Sequence, residues 1–553
     1  YNFHNLWDFA NDAPYHESGQ FNHSTGVPFA NRQDDRLNIW GFFVQDDYKI
    51  RPNLTINAGL RWSYFGGFYS KEHNLDVMQF GTGPDPLTGL NIRVGGNLQG
   101  SPKSNFGPQI GFAWQPRSLN GKGVLRGGFG INYNQNEIAI LANGTGNPPN
   151  AISASFTCPY PYAGNPSCSG SEIVYAVGNT LNSLFNYPAN PNAITNFSSA
   201  NLPLKGTTSV TGFPANAKTI TNYHYSLEVD YQVSHNIVAT LGYDGMQMRN
   251  LLIQNIWNAI AAQQGLAQNP SVNFIDFYQN AGSGNYNALI GTLTHNFAHG
   301  VQAEAMYTWS KAMDENSGPY SEDPYPYNTR AAYARSDYNV TDAFKLFGLW
   351  EPVIFHGHSW AEKIAGGWSI SGIWNVDTGF PWNPTYGTQG VYMQGTYYNL
   401  RPAGIVGGFG KSTSNKTFEG LGGMDPNFGG NGTKYFTPPT YTLAPNFPNA
   451  APGPAPGIHR NSLNGPGYND LDGTLAKAFG LPDNRILGEN ANLTFRADAY
   501  NVFNKTNINT GCMDTYLGSV NPNGTVASVN SNFGVSCGAL GSRTVQLQAR
   551  FSF

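Results

Sequence analysis

Apolar and polar residues alternate with a period of two along most of the chain, in blocks of roughly ten residues. The clearest block is Leu54 to Tyr64, in which Leu, Ile, Ala, Trp and Tyr side chains alternate with Thr, Asn, Gly, Arg and Ser. Because successive side chains of a β-strand point to opposite faces, this block predicts a strand with one apolar face and one wet face. Segments with the helical period are scarce, so the pattern predicts an all-β protein.

Thirteen stretches of the sequence share this alternation, and each predicts a strand. They are Leu37 to Ile50, Leu54 to Tyr64, Gln109 to Gln115, Val124 to Tyr133, Tyr223 to Val233, Ile237 to Tyr243, Leu289 to Phe297, Val301 to Ser310, Phe344 to Trp350, Trp368 to Val376, Leu471 to Phe479, Leu493 to Val502 and Thr544 to Phe553. Tyr1 to Ala10 is a candidate fourteenth strand.

The links between these strands alternate between short and long. Arg51 to Asn53 and Ser234 to Asn236 are short, whereas Asn134 to Asn222 and Asp377 to Asp470 are long. Short turns on one side and long loops on the other are typical of transmembrane β-barrels, whose long loops face the outside. The sequence therefore predicts an antiparallel barrel in an outer membrane, in contact with its lipid.

A soluble β-sandwich shows the same alternation and is the main alternative. The barrel is favoured by strands long enough to cross hydrocarbon and by aromatic residues at strand ends, as expected at bilayer interfaces. Those aromatics are Trp40, Tyr48, Trp62, Tyr64, Trp114, Tyr133, Tyr231, Tyr243, Tyr307, Trp309 and Trp368. The opposite face suits a water-filled lumen better than a dry core, because it carries Arg126, Glu228, Asp230, Gln232, Gln302, Glu304, Arg496 and Asp498.

The amino-acid composition further narrows the classes of protein to which the chain can belong. Charged residues make up 12% of the chain, against about 25% in an average soluble protein, and aromatics make up 14%. A net charge of -4 lacks the excess of basic residues that nucleic-acid-binding proteins carry. The chain opens at Tyr1 without a signal sequence, so we expect any export signal to have been removed or to lie upstream.

Several motifs resemble TonB-dependent outer-membrane receptors, and more particularly their Oar-like branch. The resemblance lies in the Gln45-Asp46-Asp47 hairpin that ends in Gly59-Leu60-Arg61, and it recurs in order down the chain. Later matches are Phe106 to Trp114, Leu125 to Gly130, Tyr307 to Lys311, Gly367-Trp368 through Thr378 to Pro381, Asp498 to Asn504 and Val545 to Phe553.

The resemblance implies a 22-stranded barrel, a plug that occupies its lumen and a TonB box that engages the TonB complex. With about fourteen strands here, roughly eight strands and the plug are expected upstream. Residues 1–553 are then a single β-barrel domain, the C-terminal portion of a larger barrel. A self-closed fourteen-stranded barrel is the alternative. The implied function is uptake of a scarce, bulky ligand such as a siderophore, an oligosaccharide or a peptide, and the rival is a non-transporting adhesin or structural surface barrel.

The carboxyl end predicts a barrel-closing strand, since its apolar residues alternate up to the terminal aromatic residue. This ending also resembles the terminal signal that the barrel-assembly machinery reads, which would assign Phe551 and Phe553 to that signal.

Four cysteines lie in two of the long loops. An even number in loops that face an oxidising compartment predicts disulfides, Cys158 with Cys168 and Cys512 with Cys537. A metal site is the alternative, but neither pair has a CxxC spacing or a histidine at ligand spacing.

The sequence contains no convincing catalytic constellation and no cofactor motif. If the chain is a receptor, its ligand contacts are expected in two loops rich in aromatic and polar residues, because Tyr and Trp offer large amphipathic surfaces. The candidates are Tyr320, Tyr325, Tyr327, Arg330, Trp382, Tyr386, Tyr392, Tyr397 and Tyr398. Packing of the loops into a stable cap is the alternative role for each of them.

Overall fold

The structure is a computed structural model, and it describes most of the chain. The described residues are 2–3, 6–10, 16–25, 32–150, 153–157, 195–318, 329–352, 366–388, 401–402, 404–406, 433–434, 440–442, 458–481, 491–521, 526–536 and 538–553.

One antiparallel sheet runs through the described residues, and its thirteen main strands pair in chain order. The strands are β1 (Ile39–Arg51), β2 (Leu54–Phe65), β3 (Phe106–Trp114), β4 (Gly123–Asn134), β5 (Ile220–Ser234), β6 (Ile237–Ile256), β7 (Val272–Ala298), β8 (Val301–Asp314), β9 (Asp342–Trp350), β10 (Trp368–Asp377), β11 (Tyr468–Gly480), β12 (Asn492–Tyr500) and β13 (Thr544–Ser552). All thirteen strands predicted from the alternation are confirmed.

The predicted fourteenth strand is wrong. Leu6–Ala10 is a short helix instead, and the rings of Phe3 and Phe9 pack edge to face with centroids 5.2 Å apart. Phe3, Leu6 and Phe9 recur every three residues, close to the helical period, and this spacing outweighs any alternation in the segment. The self-closed fourteen-stranded barrel loses its additional strand with this correction.

Two strands extend well beyond their predicted ends, β6 past Tyr243 and β7 before Leu289. They stay paired over this extension, with Met246 opposite Tyr286 and Gln254 opposite Tyr278. The alternation is lost in the extension because both of its faces are buried, as at the successive residues Leu252 and Ile253. Hydrophobic pattern alone could therefore not locate these strand ends.

Short turns join β1 to β2, β3 to β4, β5 to β6 and β7 to β8. The turn between β7 and β8 has two residues, His299 and Gly300, both with positive φ (52° and 77°). Such a turn matches the twist of the flanking strands. A side chain at Gly300 would also meet the carbonyl oxygen of Glu351 at 2.1 Å, so the position requires glycine.

Most of the largest buried apolar side chains lie in a layer formed by the long loops, which also takes in Ile275 and Tyr278 from the extension of β7. Two neighbouring clusters make up this loop layer, one around Leu87, Leu90 and Ile275 and the other around Leu75, Ile140, Leu141 and Tyr278. Helices Ile138–Asn143 and Trp257–Gln264 and the hairpin of Asp76–Gln79 with Asn91–Val94 contribute to it. Strand Thr208–Gly212 joins the layer to β7 by parallel pairing.

The remaining elements are short. The strands are His16–Gln20, Asp35–Arg36, Tyr69–Ser70, Ser153–Thr157, Ala334–Arg335, Pro381–Trp382, Thr385–Thr388, Gly404–Val406, Thr433–Lys434, Thr440–Thr442, Leu463–Asn464, Asn507–Ile508, Tyr516–Val520, Val526–Val529, Val535–Ser536 and Ala539–Leu540, and the 3₁₀ helices are Arg117–Leu119, Gly144–Gly146, Thr329–Ala332 and Thr510–Cys512. Across the part of the chain that the structure describes, no helix is both long and apolar enough to cross a membrane.

Candidate functional site

One face of the sheet, the outer face, is apolar and open to its surroundings. Leu241 on β6 is 56% exposed and Trp309 on β8 is 58% exposed, values far from those of a protein core. A contiguous exposed apolar surface of this extent requires a partner, and lipid satisfies it. A charged exception is Lys477 near the short-turn end of β11, whose ammonium donates to the Gly366 carbonyl and lies 5.5 Å from the Trp368 ring centroid.

The opposite, inner face carries charged and polar side chains that pair across the strands. Arg126 on β4 lies 2.5 Å from the Asp230 carboxylate and 3.4 Å from Glu228, both on β5. On β12, Arg496 pairs with Asp498 at 2.8 Å, and Asp498 also accepts a hydrogen bond from Thr474 at 2.6 Å. The predicted division into an apolar face and a wet face is thus confirmed, and the wet face suits an aqueous lumen.

A pocket opens on the inner face near the long-loop ends of β6 to β9, and we call it the Met–Tyr pocket. Its volume is about 400 Å³, and it is lined by Met246, Met248, Tyr286, Met306, Thr308, Ser310, Ala312, Ser336, Tyr338, Val340, Ala343 and Lys345. The sheet supplies the floor, and residues 336–340 of the following loop supply one wall. Small-molecule sites have this size and this mixture of apolar lining with few polar groups.

An arginine-centred cluster, which we call the Arg460 clasp, lies next to that wall. Arg460 forms an ion pair with Asp314, which is 1% exposed, and a second with Asp337 at 2.9 Å. Its Nε also donates to the carbonyl oxygen of Ala332 at 3.0 Å. Arg335 in turn donates to the carbonyl oxygen of Asn461. The clasp joins the loop between β8 and β9 to the end of the loop that precedes β11.

A buried carboxylate, Asp76, joins two segments of the loop layer. It is fully buried and accepts hydrogen bonds from the backbone N–H and the side-chain amide of Asn150, at 2.7 and 2.9 Å. Asn147 binds the carbonyl oxygens of Asp76 and Thr211. Burial raises the pKa of Asp76 to about 6, against the opposing effect of its hydrogen bonds from Asn150.

The predicted ligand residues fall into three groups. Arg330 is exposed at the start of the short helix Thr329–Ala332. Trp382 is 8% exposed and Tyr386 is fully buried, so protein covers both side chains in this structure. The others, Tyr320, Tyr325, Tyr327, Tyr392, Tyr397 and Tyr398, lie outside the described residues. Ligand binding by all nine stays a prediction.

The predicted disulfides also stay untested. Cys158, Cys168 and Cys537 lie outside the described residues, and of Cys512 only the backbone, at the end of a short 3₁₀ helix, is described.

At the carboxyl end, Phe551 and Phe553 stack with centroids 5.6 Å apart on the outer face, and Phe553 is 86% exposed. Their assignment to an assembly signal stays a prediction.

Sequence reasoning missed the Met–Tyr pocket, although a signal for it was present. Met246 and Met248 are two residues apart, which places them on one face of a strand, and that face is the inner one. Met306 occupies one of the inward-facing positions of β8, which are otherwise mostly polar. Apolar residues at the inward-facing positions of an otherwise alternating strand could have indicated an apolar patch on the inner face.

Comparison with known proteins gives a family match over almost the whole chain. The model of the outer membrane beta barrel domain family matches residues 10–546. A sequence comparison with curated proteins gives no significant match.

Solved structures of similar fold include the outer membrane transporter YddB from Escherichia coli, with 10% identity, a TM-score of 0.43, and coverage of 93% of this chain and 54% of that one. Another is the pyoverdine outer membrane receptor FpvA from Pseudomonas aeruginosa, with 11% identity and a TM-score of 0.41. The match covers 94% of this chain and 42% of that one. The chain thus spans about half the length of these proteins or less. By its family match, the chain belongs to the outer membrane beta barrel domain family and lies in the outer membrane.

Proposed function

We propose that this chain is the C-terminal barrel portion of a TonB-dependent receptor of the Oar-like branch, which imports a scarce, bulky ligand. The observation that carries the proposal is the size of the sheet together with its polar inner face. Barrels of eight strands fill their interior with side chains, whereas those of sixteen or more leave a channel or hold a plug. A sheet of thirteen strands already exceeds the small class.

Strand direction supports the larger barrel. In an antiparallel path of thirteen strands the first and last run the same way, so β1 and β13 would be parallel to each other if they paired directly. An entirely antiparallel barrel therefore needs an odd number of further strands between them. For a barrel of about 22 strands that number is about nine, rather than the eight expected from sequence. On this account residues 1–553 form one barrel domain with strands supplied from upstream.

The rival function is an adhesin or structural barrel that binds a partner through its loops. A packed loop layer suits either role, so the loops do not discriminate between them. The lumen does, because import requires a wide passage, a plug that closes it and the TonB complex that moves the plug. The barrel-assembly machinery would be a partner under both functions.

The deciding experiment uses the full-length protein in planar lipid bilayers and in a pull-down with the periplasmic domain of TonB. A plugged importer should show little conductance until the plug alone is deleted and all barrel strands are kept, and the intact protein should retain TonB. High conductance of the intact protein, or no retention of TonB, would contradict import and favour the surface-barrel role.

A further inference from the structure

The Met–Tyr pocket combines an apolar, polarisable lining with one positive charge. Three thioethers and two phenol rings, from Met246, Met248, Met306, Tyr286 and Tyr338, surround the space. Methionine sulfur makes favourable contacts with aromatic rings, and aromatic rings pack on one another edge to face or offset. A flat aromatic group is therefore the apolar shape that this lining suits best.

Lys345 is the charged residue of the lining, which includes no carboxylate. Its side chain is exposed, and across the described part of the chain no carboxylate lies within ion-pair distance of it. Its directly opposite neighbours on the inner face are Met306 and Asn375, both uncharged. The diagonal neighbour Asp377 on β10 attracts Lys345 electrostatically without forming an ion pair. A lysine beside an apolar pocket that makes no direct ion pair with the protein is available to an anionic group of a ligand.

The loop wall of the pocket is held in place by the Arg460 clasp. The hydroxyl of Ser336, which is fully buried, donates to the Asp314 carboxylate at 2.5 Å, and Asp314 is the main partner of Arg460. The hydroxyl of Ser310 donates to the carbonyl oxygen of Val340 at 2.7 Å, which fixes the other end of this wall to β8. A wall that is ordered before binding lowers the entropy cost of binding a ligand.

We propose that the Met–Tyr pocket is a binding site for an aromatic ring that bears an acidic group, with Lys345 as the anion partner. The inference rests on the proposed uptake function and narrows its substrate class to ligands that carry such an aryl acid. The sulfur and tyrosine side chains contact the ring, and the ammonium of Lys345 contacts the acid.

Two probes of the same shape test the assignment: naphthalenesulfonate, which is anionic, and naphthalenemethanol, which is neutral. Binding of each is measured by calorimetry on the full-length protein in lipid nanodiscs, with empty nanodiscs subtracted. Lys345→Met keeps the length of the side chain and removes its charge. We expect it to weaken naphthalenesulfonate binding about tenfold and to change naphthalenemethanol binding less than about twofold. Met306→Ala should weaken both probes, because it removes ring contacts.

Lys49→Met is the matched control, since Lys49 is an exposed lysine on the inner face of β1, distant along the sheet from the pocket. It should leave the binding of both probes unchanged. Equal losses in the Lys345 and Lys49 variants, or no binding by the unaltered protein, would overturn the assignment. The conductance and TonB experiments do not depend on this pocket, so its failure would leave the import proposal standing.

Discussion

Replacement of Asp76 by asparagine should reduce the pH dependence of the loop layer. The folded-state pKa of Asp76 is raised from 3.8 to about 6, so the folded layer binds a proton more tightly than the unfolded chain does. Stability from this group is fully present below pH 3.8 and is lost as the pH rises through about 6. The shift corresponds to at most about 3 kcal/mol of local stability.

Hydrogen exchange of the full-length protein measures this effect at amides of the surrounding cluster, such as those of Leu98 and Ile140. After correction for intrinsic exchange, the opening free energy of the unaltered protein should fall by up to about 3 kcal/mol between about pH 4 and pH 7. Asp76→Asn should reduce that slope, whatever it does to absolute stability, because its side chain does not titrate. The slope that remains comes from Asp276, whose pKa is also raised by burial.

Glu72→Gln is the control, because Glu72 is an exposed carboxylate in the same loop. It should keep the slope of the unaltered protein. An undiminished slope in Asp76→Asn, or an opening free energy that rises with pH in the unaltered protein, would refute the reasoning about Asp76.

Three further predictions concern the membrane face, the loops and the carboxyl end. Leu60→Arg should impair folding into lipid vesicles by about 2–4 kcal/mol, whereas Asn57→Arg, which points inward toward Asp47, should be tolerated; equal effects in a folding titration would reject the assigned faces. Deletion of Phe553 should lower the heat-modifiable, protease-resistant fraction of the full-length protein in outer membranes, and unchanged assembly would exclude a terminal signal. Non-reducing peptide mapping should find two local disulfides, and cross-pairing or free thiols would count against them; the expected pairs are Cys158 with Cys168 and Cys512 with Cys537.

The sheet could be predicted from the sequence because each membrane strand meets lipid on one side and water on the other. That asymmetry imposes the alternation seen at Leu54 to Tyr64, and every main strand of the sheet carries it. Where that asymmetry ends, the strand ends were not predicted, as in the extensions of β6 and β7 into the loop layer. The helix Leu6–Ala10 was missed because a few aromatic residues fit either period.

The sites depend on contacts between residues far apart in the chain, and a single sequence does not encode those contacts in any local pattern. Arg460 meets Asp314 across 146 positions, and Asp76 meets Asn150 across 74. Tyr386 shows where prediction from sequence ends. Its place in a loop rich in aromatic residues indicated an accessible ligand contact, yet the structure buries its side chain. Only three-dimensional packing distinguishes an aromatic residue that supports a loop from one that faces a ligand.

The most direct test of the membrane account is the accessibility of the two faces of the sheet in the assembled full-length protein. Nitroxide labels introduced one at a time at Leu60, Leu241 and Leu475 should be relaxed by oxygen, which concentrates in lipid. Labels at the inward positions Thr240 and Thr474 should be relaxed by a water-soluble nickel complex instead. The account predicts this reversal between neighbouring residues of one strand, and water-accessible labels on both faces would contradict it.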